Sequence, residues 1–356
     1  MHKKLLNAIL DNVAPIISLF GPSGVGKTRV CLGVIRELIE MLQADLKKDK
    51  GRIPVIFYEI PHTERRHNNW TDLHTGMLLA AAEPLVQHKT VDRKELESIV
   101  LDHSVKIMSR SATQRESYIS MIKQRKVSVV FFDEAPNLFK KATGQEMIFQ
   151  ADYIRSLASR TRIPHVLTGT YDLTKSINLG GQAARRSMDI HFPPYHLNDK
   201  AEREECFGAI KDLLCAMPLK KVPDPSDQKG AWEFIGERTS GCVGTAKEWF
   251  YRALAETLRR GDNELKWKVL QETALELEKC LTLYAEADTG EQMYYSKNKD
   301  SLERMRNELG LTTKTPKTAS NEEAPSGQIT QTAKETSKKI NTRPGKRKPT
   351  RDTVGV

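Results

Sequence analysis

A glycine-rich loop carries the most specific chemistry in this sequence. It reads, in order, Gly21, Pro22, Ser23, Gly24, Val25, Gly26, Lys27 and Thr28. Its glycines let backbone N–H groups approach phosphate oxygens, which larger side chains would block. In such loops the lysine neutralises the β and γ phosphates and the threonine hydroxyl binds Mg²⁺. The loop therefore predicts a nucleotide site, with ATP and Mg²⁺ as the expected ligands.

Two adjacent acids, Asp133 and Glu134, could complete this site as a hydrolytic one. They follow the apolar run 127–132. A nucleotide hydrolase needs a carboxylate on its metal ion and a base for the attacking water. We expect Asp133 to bind Mg²⁺ and Glu134 to polarise the water. Such a pair alone could equally cap a helix, but its position downstream of the loop favours the catalytic interpretation.

Five short apolar runs predict the strands that position these residues. The runs are 16–20, 54–60, 127–132, 165–170 and 187–192. Compact apolar runs separated by helical patterns are typical of buried parallel strands in an open α/β sheet. After the fifth run the strand signals stop and amphipathic helices follow, including one predicted helix over 266–285.

This pattern predicts three segments: an α/β nucleotide-binding domain over 1–195, a small helical domain with a helical extension over 196–311, and a disordered tail over 312–356. The tail has almost no large apolar side chains, so burial cannot offset the entropy of ordering it. It holds ten basic and four acidic residues of a chain whose net charge is +10. The rest is only mildly basic, so DNA contacts would depend on local clusters.

The composition also predicts where the protein works. Its five cysteines are scattered and lack CxxC spacing, which argues against a zinc site and a disulfide framework. They are expected to be small core residues in a reducing cytoplasm. No apolar run approaches the about 20 residues of a membrane span. The sequence therefore predicts an intracellular protein with no membrane partner.

The Asp-Glu pair, with an all-helical domain behind the sheet, resembles the AAA+ ATPases. The resemblance implies a polar residue at the end of the next strand that orients the water; Thr170 is the first candidate and Thr168 the second. It implies an arginine before the fifth strand that reaches a neighbouring subunit's site, where Arg185 and Arg186 stand. It also implies a basic residue opening a small-domain helix, here Lys247, where the family more often has arginine.

Within that family the chain is similar to the TnsC/TniB branch, the ATP-dependent regulators of DNA transposition. The similarity lies in five local segments in family order: 55–61, 133–138, 153–158, 163–173 and 182–194. It implies a homo-oligomer, as a ring or helical filament, on double-stranded DNA, with hydrolysis serving disassembly. It also implies transposase subunits and a TniQ-like target-selection protein as partners. The upstream segment that commonly contacts adenine is nearly absent, and residues 5–13 are its candidate stub.

Two basic clusters are candidates for DNA phosphate contacts, which lysine, arginine and hydroxyl side chains typically make. The first contains Lys106, Arg110, Arg115, Lys123, Arg125 and Lys126, and the second contains Arg65 and Arg66. For both, a solvated charged surface is the alternative. The basic tail segment 343–348 could tether DNA, dock a partner, or only solubilise the chain.

Two further interpretations stay open. A replication-initiator or loader-like ATPase would share the catalytic residues, but such proteins usually carry a winged-helix or collar domain, which nothing after Leu311 predicts. A signalling or defence P-loop NTPase would not act on DNA, and it normally carries long repeat or effector domains. A nucleotide-independent scaffold is disfavoured because Lys27, Thr28, Asp133 and Glu134 are all present.

Overall fold

The computed structural model describes residues 1–62, 70–83, 110–140, 142, 144–177 and 187–311. Predictions for Arg65, Arg66, Lys106, Arg185, Arg186 and the tail lie outside these residues. The chain divides into two units, and residues 1–304 form the first, which is compact. The second unit begins at Met305, and its described residues are exposed. Within the described part of the chain, no helix is both long and apolar enough to cross a membrane.

Five parallel strands form one sheet in the order β2-β3-β4-β1-β5. They are β1 (Ile16–Phe20), β2 (Val55–Glu59), β3 (Val129–Asp133), β4 (His165–Gly169) and β5 (Ser187–His191). Every residue of β1, β3 and β4 is buried, as expected for parallel strands covered on both faces. The predicted parallel α/β sheet is confirmed.

Helices cover both faces of this sheet. They are α1 (His2–Leu10), α2 (Lys27–Met41), α3 (Gln43–Lys48), α4 (Trp70–Ala80), α5 (Arg110–Gln124), α6 (Gln145–Thr161) and α7 (Asp172–Ile177). Because strand side chains alternate between faces, Val129 and Phe131 pack with α1 and α2. Val130 and Phe132 pack on the other face, with α4, α5 and α6. The loops that follow the strands lie at the carboxyl edge of the sheet, between these two cores.

A helical region follows β5 and packs around Trp249. Its helices are α8 (Lys200–Cys215), α9 (Ala231–Thr239), α10 (Val243–Arg259), α11 (Trp267–Thr273) and α12 (Leu277–Glu308). The Trp249 side chain is buried, and its Nε1 donates a hydrogen bond to the Leu270 carbonyl at 2.9 Å. The predicted helical region after the sheet is thereby confirmed. We call α8 to α11 the lid below.

The single helix predicted over 266–285 is wrong. The chain breaks between α11 and α12 at Ala274, whose ψ of 154° is extended. Arg238 of α9 donates a hydrogen bond from Nη1 to the Leu275 carbonyl at 3.0 Å, which satisfies an acceptor that a continuous helix would have paired internally. After the break, α12 runs for 32 residues. Apolar spacing alone could not reveal this break, because a lid contact stabilises it.

Candidate functional site

The glycine-rich loop joins the carboxyl end of β1 to the start of α2. Gly24 and Gly26 have φ angles of 75° and 109°, which glycine adopts without the steric cost of a side chain. Gly21 lies against the Phe192 carbonyl, since a Cβ built on Gly21 would be 2.0 Å from that oxygen. Gly26 is also the N-cap of α2, so the loop leads directly into the N-terminus of that helix. Backbone N–H groups and the helix dipole favour an anion there.

Lys27 is held inside this loop. Its side chain is buried, and Nζ donates hydrogen bonds to the carbonyl oxygens of Gly21 at 3.0 Å and Pro22 at 2.8 Å. Burial lowers the pKa of Lys27, although the nearby Glu134 and Asp133 carboxylates oppose the shift. A desolvated ammonium group at the loop can neutralise phosphate charge.

Asp133 is the centre of the polar contacts at the carboxyl edge. Thr28 Oγ1 donates a hydrogen bond to Asp133 Oδ2 at 2.7 Å, and Thr168 Oγ1 donates to Asp133 Oδ1. The backbone N–H of Glu134 also donates to Oδ1, at 3.1 Å. One buried carboxylate thus joins α2, β3 and β4. Hydroxyl and carboxylate oxygens are ligands that Mg²⁺ prefers, so Thr28 and Asp133 fit that ion.

Glu134 differs from its neighbour in exposure. Asp133 is buried, whereas Glu134 is exposed and adopts the left-handed conformation, with φ 52° and ψ 38°. This conformation is uncommon for a side chain other than glycine, asparagine or aspartate. The turn separates the adjacent acids, so Asp133 stays in the hydrogen-bonded cluster while Glu134 reaches solvent. An exposed carboxylate beside the site can accept a proton from a water molecule.

The structure separates the two threonine candidates at the end of β4. Thr168 lies opposite Asp133 because Phe132 pairs with Leu167 in the parallel register. Thr170 follows the strand, is half-buried, and accepts a hydrogen bond from Leu173 N at 3.0 Å through its carbonyl. The second candidate, Thr168, is therefore the one that contacts the predicted metal-binding carboxylate. Only strand register distinguishes them, and apolar runs do not specify register.

The lid contributes a contact with the phosphate loop that the sequence analysis missed. A Cβ built on Gly24 would lie 2.4 Å from Thr245 Oγ1, and one built on Gly244 would lie 2.4 Å from the Gly24 carbonyl oxygen. Gly244 and Thr245 stand in the first turn of α10. The Gly241-x-x-Gly244 spacing at the start of that helix was the available sequence signal for this close approach.

Lys247 occupies a different position from the one expected. Its Nζ lies 5.4 Å from the centre of the Tyr251 ring. Two residues along a helix correspond to a rotation of about 200°, so Lys247 and Thr245 face different directions. Within the described contacts, Thr245 rather than Lys247 meets the phosphate loop. A contact of Lys247 with the nucleotide stays a prediction.

The described residues of the first basic cluster lie along α5 and directly after it. Arg110 begins α5 and Lys123 lies in its last turn. At about 1.5 Å per residue, 15 residues span about 21 Å. Arg125 then lies beside the start of β2, because its carbonyl accepts a hydrogen bond from Ile53 N at 2.9 Å. The described members of this cluster thus extend from α5 to the start of β2, and their contact with DNA stays a prediction.

Three of these basic side chains already have acidic partners, and one of them is Arg115, whose Nε lies 3.4 Å from Glu116 Oε1. Arg125 Nε lies 2.6 Å from Glu83 Oε1, and Lys126 Nζ lies 2.8 Å from Asp49 Oδ2. The Lys126 contact lowers the pKa of the Asp49 carboxyl group, mainly through its hydrogen bond. Because their charges are locally balanced, these three side chains are weaker candidates for DNA phosphates than the exposed Lys123.

Comparison with known proteins places this site within a recognised domain. Residues 11–177 match the family model described as AAA domain. The match includes the phosphate loop, Asp133, Glu134 and Thr168, and it ends before α8. The strand order and this match identify the fold as that of P-loop AAA+ proteins, which bind nucleotides. No curated protein matches the sequence significantly.

Several solved structures are similar at low identity. Cdc6p from Pyrobaculum aerophilum is 17% identical, with a TM-score of 0.45, over 76% of this chain and 66% of that one. A Walker-type ATPase of Pyrococcus abyssi is 17% identical, with a TM-score of 0.43, over 83% and 75%. Drosophila ORC bound to DNA is 15% identical, with a TM-score of 0.41, over 76% and 57%. The chain thus spans under two thirds of the first and third structures.

Proposed function

We propose that this protein hydrolyses ATP with Mg²⁺ and, as an AAA+ regulator of DNA transposition of the TnsC/TniB type, assembles with further copies of itself on double-stranded DNA. The observation that carries the ATPase proposal is the Asp133 carboxylate. It is hydrogen-bonded to Thr28 of the phosphate loop and to Thr168 of β4, beside the exposed Glu134.

Each residue of the site has a role in this proposal. The loop N–H groups hold the phosphates, and Lys27 neutralises their charge. Thr28 and Asp133 would hold Mg²⁺, which would neutralise the negative charge that develops on the phosphates. Glu134 accepts the proton of the attacking water. Thr168 fixes the orientation of the Asp133 carboxylate by donating to it.

The assembly proposal rests on sequence. Arg185 and Arg186 precede β5, where an AAA+ subunit reaches into its neighbour's site, and the ordered segments resemble TnsC/TniB proteins. ATP would therefore favour a ring or filament on DNA, and hydrolysis would dissolve it. The transposase subunits and a TniQ-like protein would bind the ATP-bound assembly.

Two substitutions test nucleotide use and assembly together. With duplex DNA and ATP, Glu134→Gln is expected to accumulate a large DNA-bound assembly without turnover, whereas Lys27→Ala should stay unassembled. Glu248→Gln, an exposed acid on α10, is the matched control and should behave as wild type. Sedimentation velocity and phosphate release are the measurements.

The test separates the two parts of the proposal. ATP turnover without assembly, even with DNA and a slowly hydrolysed analogue, would retain the ATPase and reject the transposition regulator. Absence of ATP turnover by the wild type would reject the enzyme itself. Binding of the ATP-bound assembly to a transposase is the decisive measurement for the transposition step.

A further inference from the structure

A groove of 1030 Å³ lies between α8 and α9 on one side and the first half of α12 on the other. This volume exceeds the about 300–1000 Å³ of most small-molecule pockets. None of the loop residues 21–28 lines it, and neither does Asp133. The groove is therefore separate from the nucleotide site, and its occupant is a separate question.

The walls of this groove present apolar side chains. Leu277, Leu281 and Tyr284 of α12 are 53%, 57% and 56% exposed, and their spacing of four and three residues places them on one helix face. The facing wall holds Phe207 and Trp232, whose rings stack with centroids 4.6 Å apart. Exposed apolar side chains gathered along one groove mark an interaction surface.

Acidic side chains surround this apolar surface. Glu233 and Glu237 stand one turn apart on α9 and are exposed, and Asp288 and Glu291 line the α12 side. Arg203 is the one lysine or arginine among the described lining residues. The whole chain carries a net charge of +10, so the groove has the opposite sign to the chain that contains it. An acidic rim favours a basic occupant.

We propose that this groove binds an amphipathic helix with a basic polar face, supplied by a partner protein. The wall from Leu277 to Glu291 is about 21 Å long at about 1.5 Å per residue, which accommodates about four helical turns. An apolar groove between helices is the usual receptor for an amphipathic helix. Leucine-type side chains of the partner would pack between Trp232 and Leu281, and its lysines or arginines would face Glu233 and Glu237.

The test uses the full chain and a defined peptide. A fluorescein-labelled 15-residue peptide of leucine and lysine, with leucine at helical spacing, is titrated by fluorescence anisotropy. One control peptide replaces every lysine with glutamate, and a second has the same composition with scrambled spacing. We expect the first peptide to bind at least tenfold more tightly than either control.

Matched variants locate the binding on the groove. Glu237→Lys and Leu281→Ala should each weaken the peptide at least fivefold. Glu248→Lys and Leu258→Ala change an exposed acid and an exposed leucine of α10, outside the groove lining, and should leave affinity unchanged. All four changes are at exposed positions, and equal thermal unfolding temperatures would verify that each variant is folded.

Three results would overturn the proposal. The first is equal binding of the lysine and glutamate peptides, or equal loss in groove and control variants. The second is a change in the chain's own association state on Glu237→Lys without peptide, which would assign the groove to a second copy. The third is equally tight, Glu237-dependent binding of a peptide of residues 338–351, which would make this chain's own basic segment the preferred ligand.

Discussion

Asp133 shows how one side chain can organise a whole site. A buried carboxylate is costly unless its oxygens are hydrogen-bonded, and here both oxygens accept, from Thr28, Thr168 and the Glu134 backbone. Hydrogen bonds to a charged group are the stronger kind. The orientation of the carboxylate is therefore set by both neighbouring elements, α2 and β4, before any ligand binds.

The first prediction concerns Thr168. Thr168→Val keeps the branched shape but removes the donor to Asp133, and a hydrogen bond to a charged group contributes about 1.5–3 kcal/mol. We expect kcat for ATP hydrolysis to fall about tenfold or more, with nucleotide affinity within about threefold of wild type. Steady-state phosphate release and nucleotide titration measure these two quantities.

Thr170→Val is the matched control for that prediction. Thr170 lies two residues further along and contributes its carbonyl to the start of α7, which the substitution retains. Turnover should therefore change less than in Thr168→Val. A larger loss of turnover in Thr170→Val than in Thr168→Val would contradict the prediction. It would indicate that Thr170, rather than Thr168, is the polar residue that catalysis needs.

The second prediction concerns thiol reactivity. Burial raises the pKa of Cys31 and Cys242 to about 12 and that of Cys206 to about 11. Cys280 is also buried, whereas Cys215 is exposed. Because the thiolate is the reactive form, a disulfide reagent at neutral pH should label one thiol in the native protein and five after unfolding. Rapid labelling of native Cys215→Ser would contradict this.

At the scale of elements, α12 connects the lid with the sheet. Its Tyr294 ring lies 5.1 Å from that of Phe20 and 4.9 Å from that of His191, at the ends of β1 and β5. One turn earlier, Glu291 Oε1 lies 3.1 Å from Nε2 of His196, in the segment between β5 and α8. Residues of α12 also line the groove, opposite α8 and α9. The helix therefore contacts the sheet, the segment that joins the sheet to the lid, and the lid itself.

The third prediction is a pH dependence at His196. Burial lowers its pKa, but the hydrogen bonds and charges of Glu202 and Glu291 outweigh burial and raise it above 6.5. A raised pKa contributes stability that is present below the unfolded value and is lost as pH rises through the folded value. His196→Gln should therefore destabilise the protein more at about pH 5.5 than at about pH 8.5.

Denaturant unfolding of both proteins at both pH values measures that difference. The contribution of such partly exposed pairs is about 1 kcal/mol or less. Burial lowers the pKa of His74 and His165 to about 4, so acid weakens wild type and variant alike, and the comparison cancels this. The pKa of the nearby His191 is lowered to about 4 by burial and by His196, so the His191 ring is mainly neutral in the folded protein at both pH values. An equal cost of the substitution at both pH values would contradict the ion-pair role of His196.

Elements with a local signal could be predicted from the sequence, and those set by distant contacts could not. β1 was predicted at its observed bounds, because a buried apolar run ending in glycine is a local pattern. The break at Ala274 depends on Arg238 of α9, and the position of Thr168 beside Asp133 depends on strand register. The lid contact at Gly24 likewise requires two separate segments to meet.

At the scale of the whole molecule, the phosphate loop is where the sheet and the lid meet. The carbonyl of Gly24 lies so close to Gly244 that no side chain fits between them. A loop that closes on phosphates must keep its backbone within hydrogen-bonding distance of them. Displacement of the first turn of α10 would therefore also displace the loop, so we expect nucleotide affinity to depend on a lid residue.

Substitutions of two glycines, Gly244 and Gly208, test whether nucleotide affinity depends on the lid. Gly244→Ala places a methyl group 2.4 Å from the Gly24 carbonyl oxygen, so the lid or the loop must shift. We expect nucleotide to bind about tenfold more weakly, or about 1.4 kcal/mol. Gly208→Ala, within α8 and with open space around its Cβ, should leave affinity unchanged and raise the free energy of unfolding by about 0.5–1 kcal/mol. Unchanged affinity in Gly244→Ala, measured by nucleotide titration, would show that the loop holds its shape without the lid.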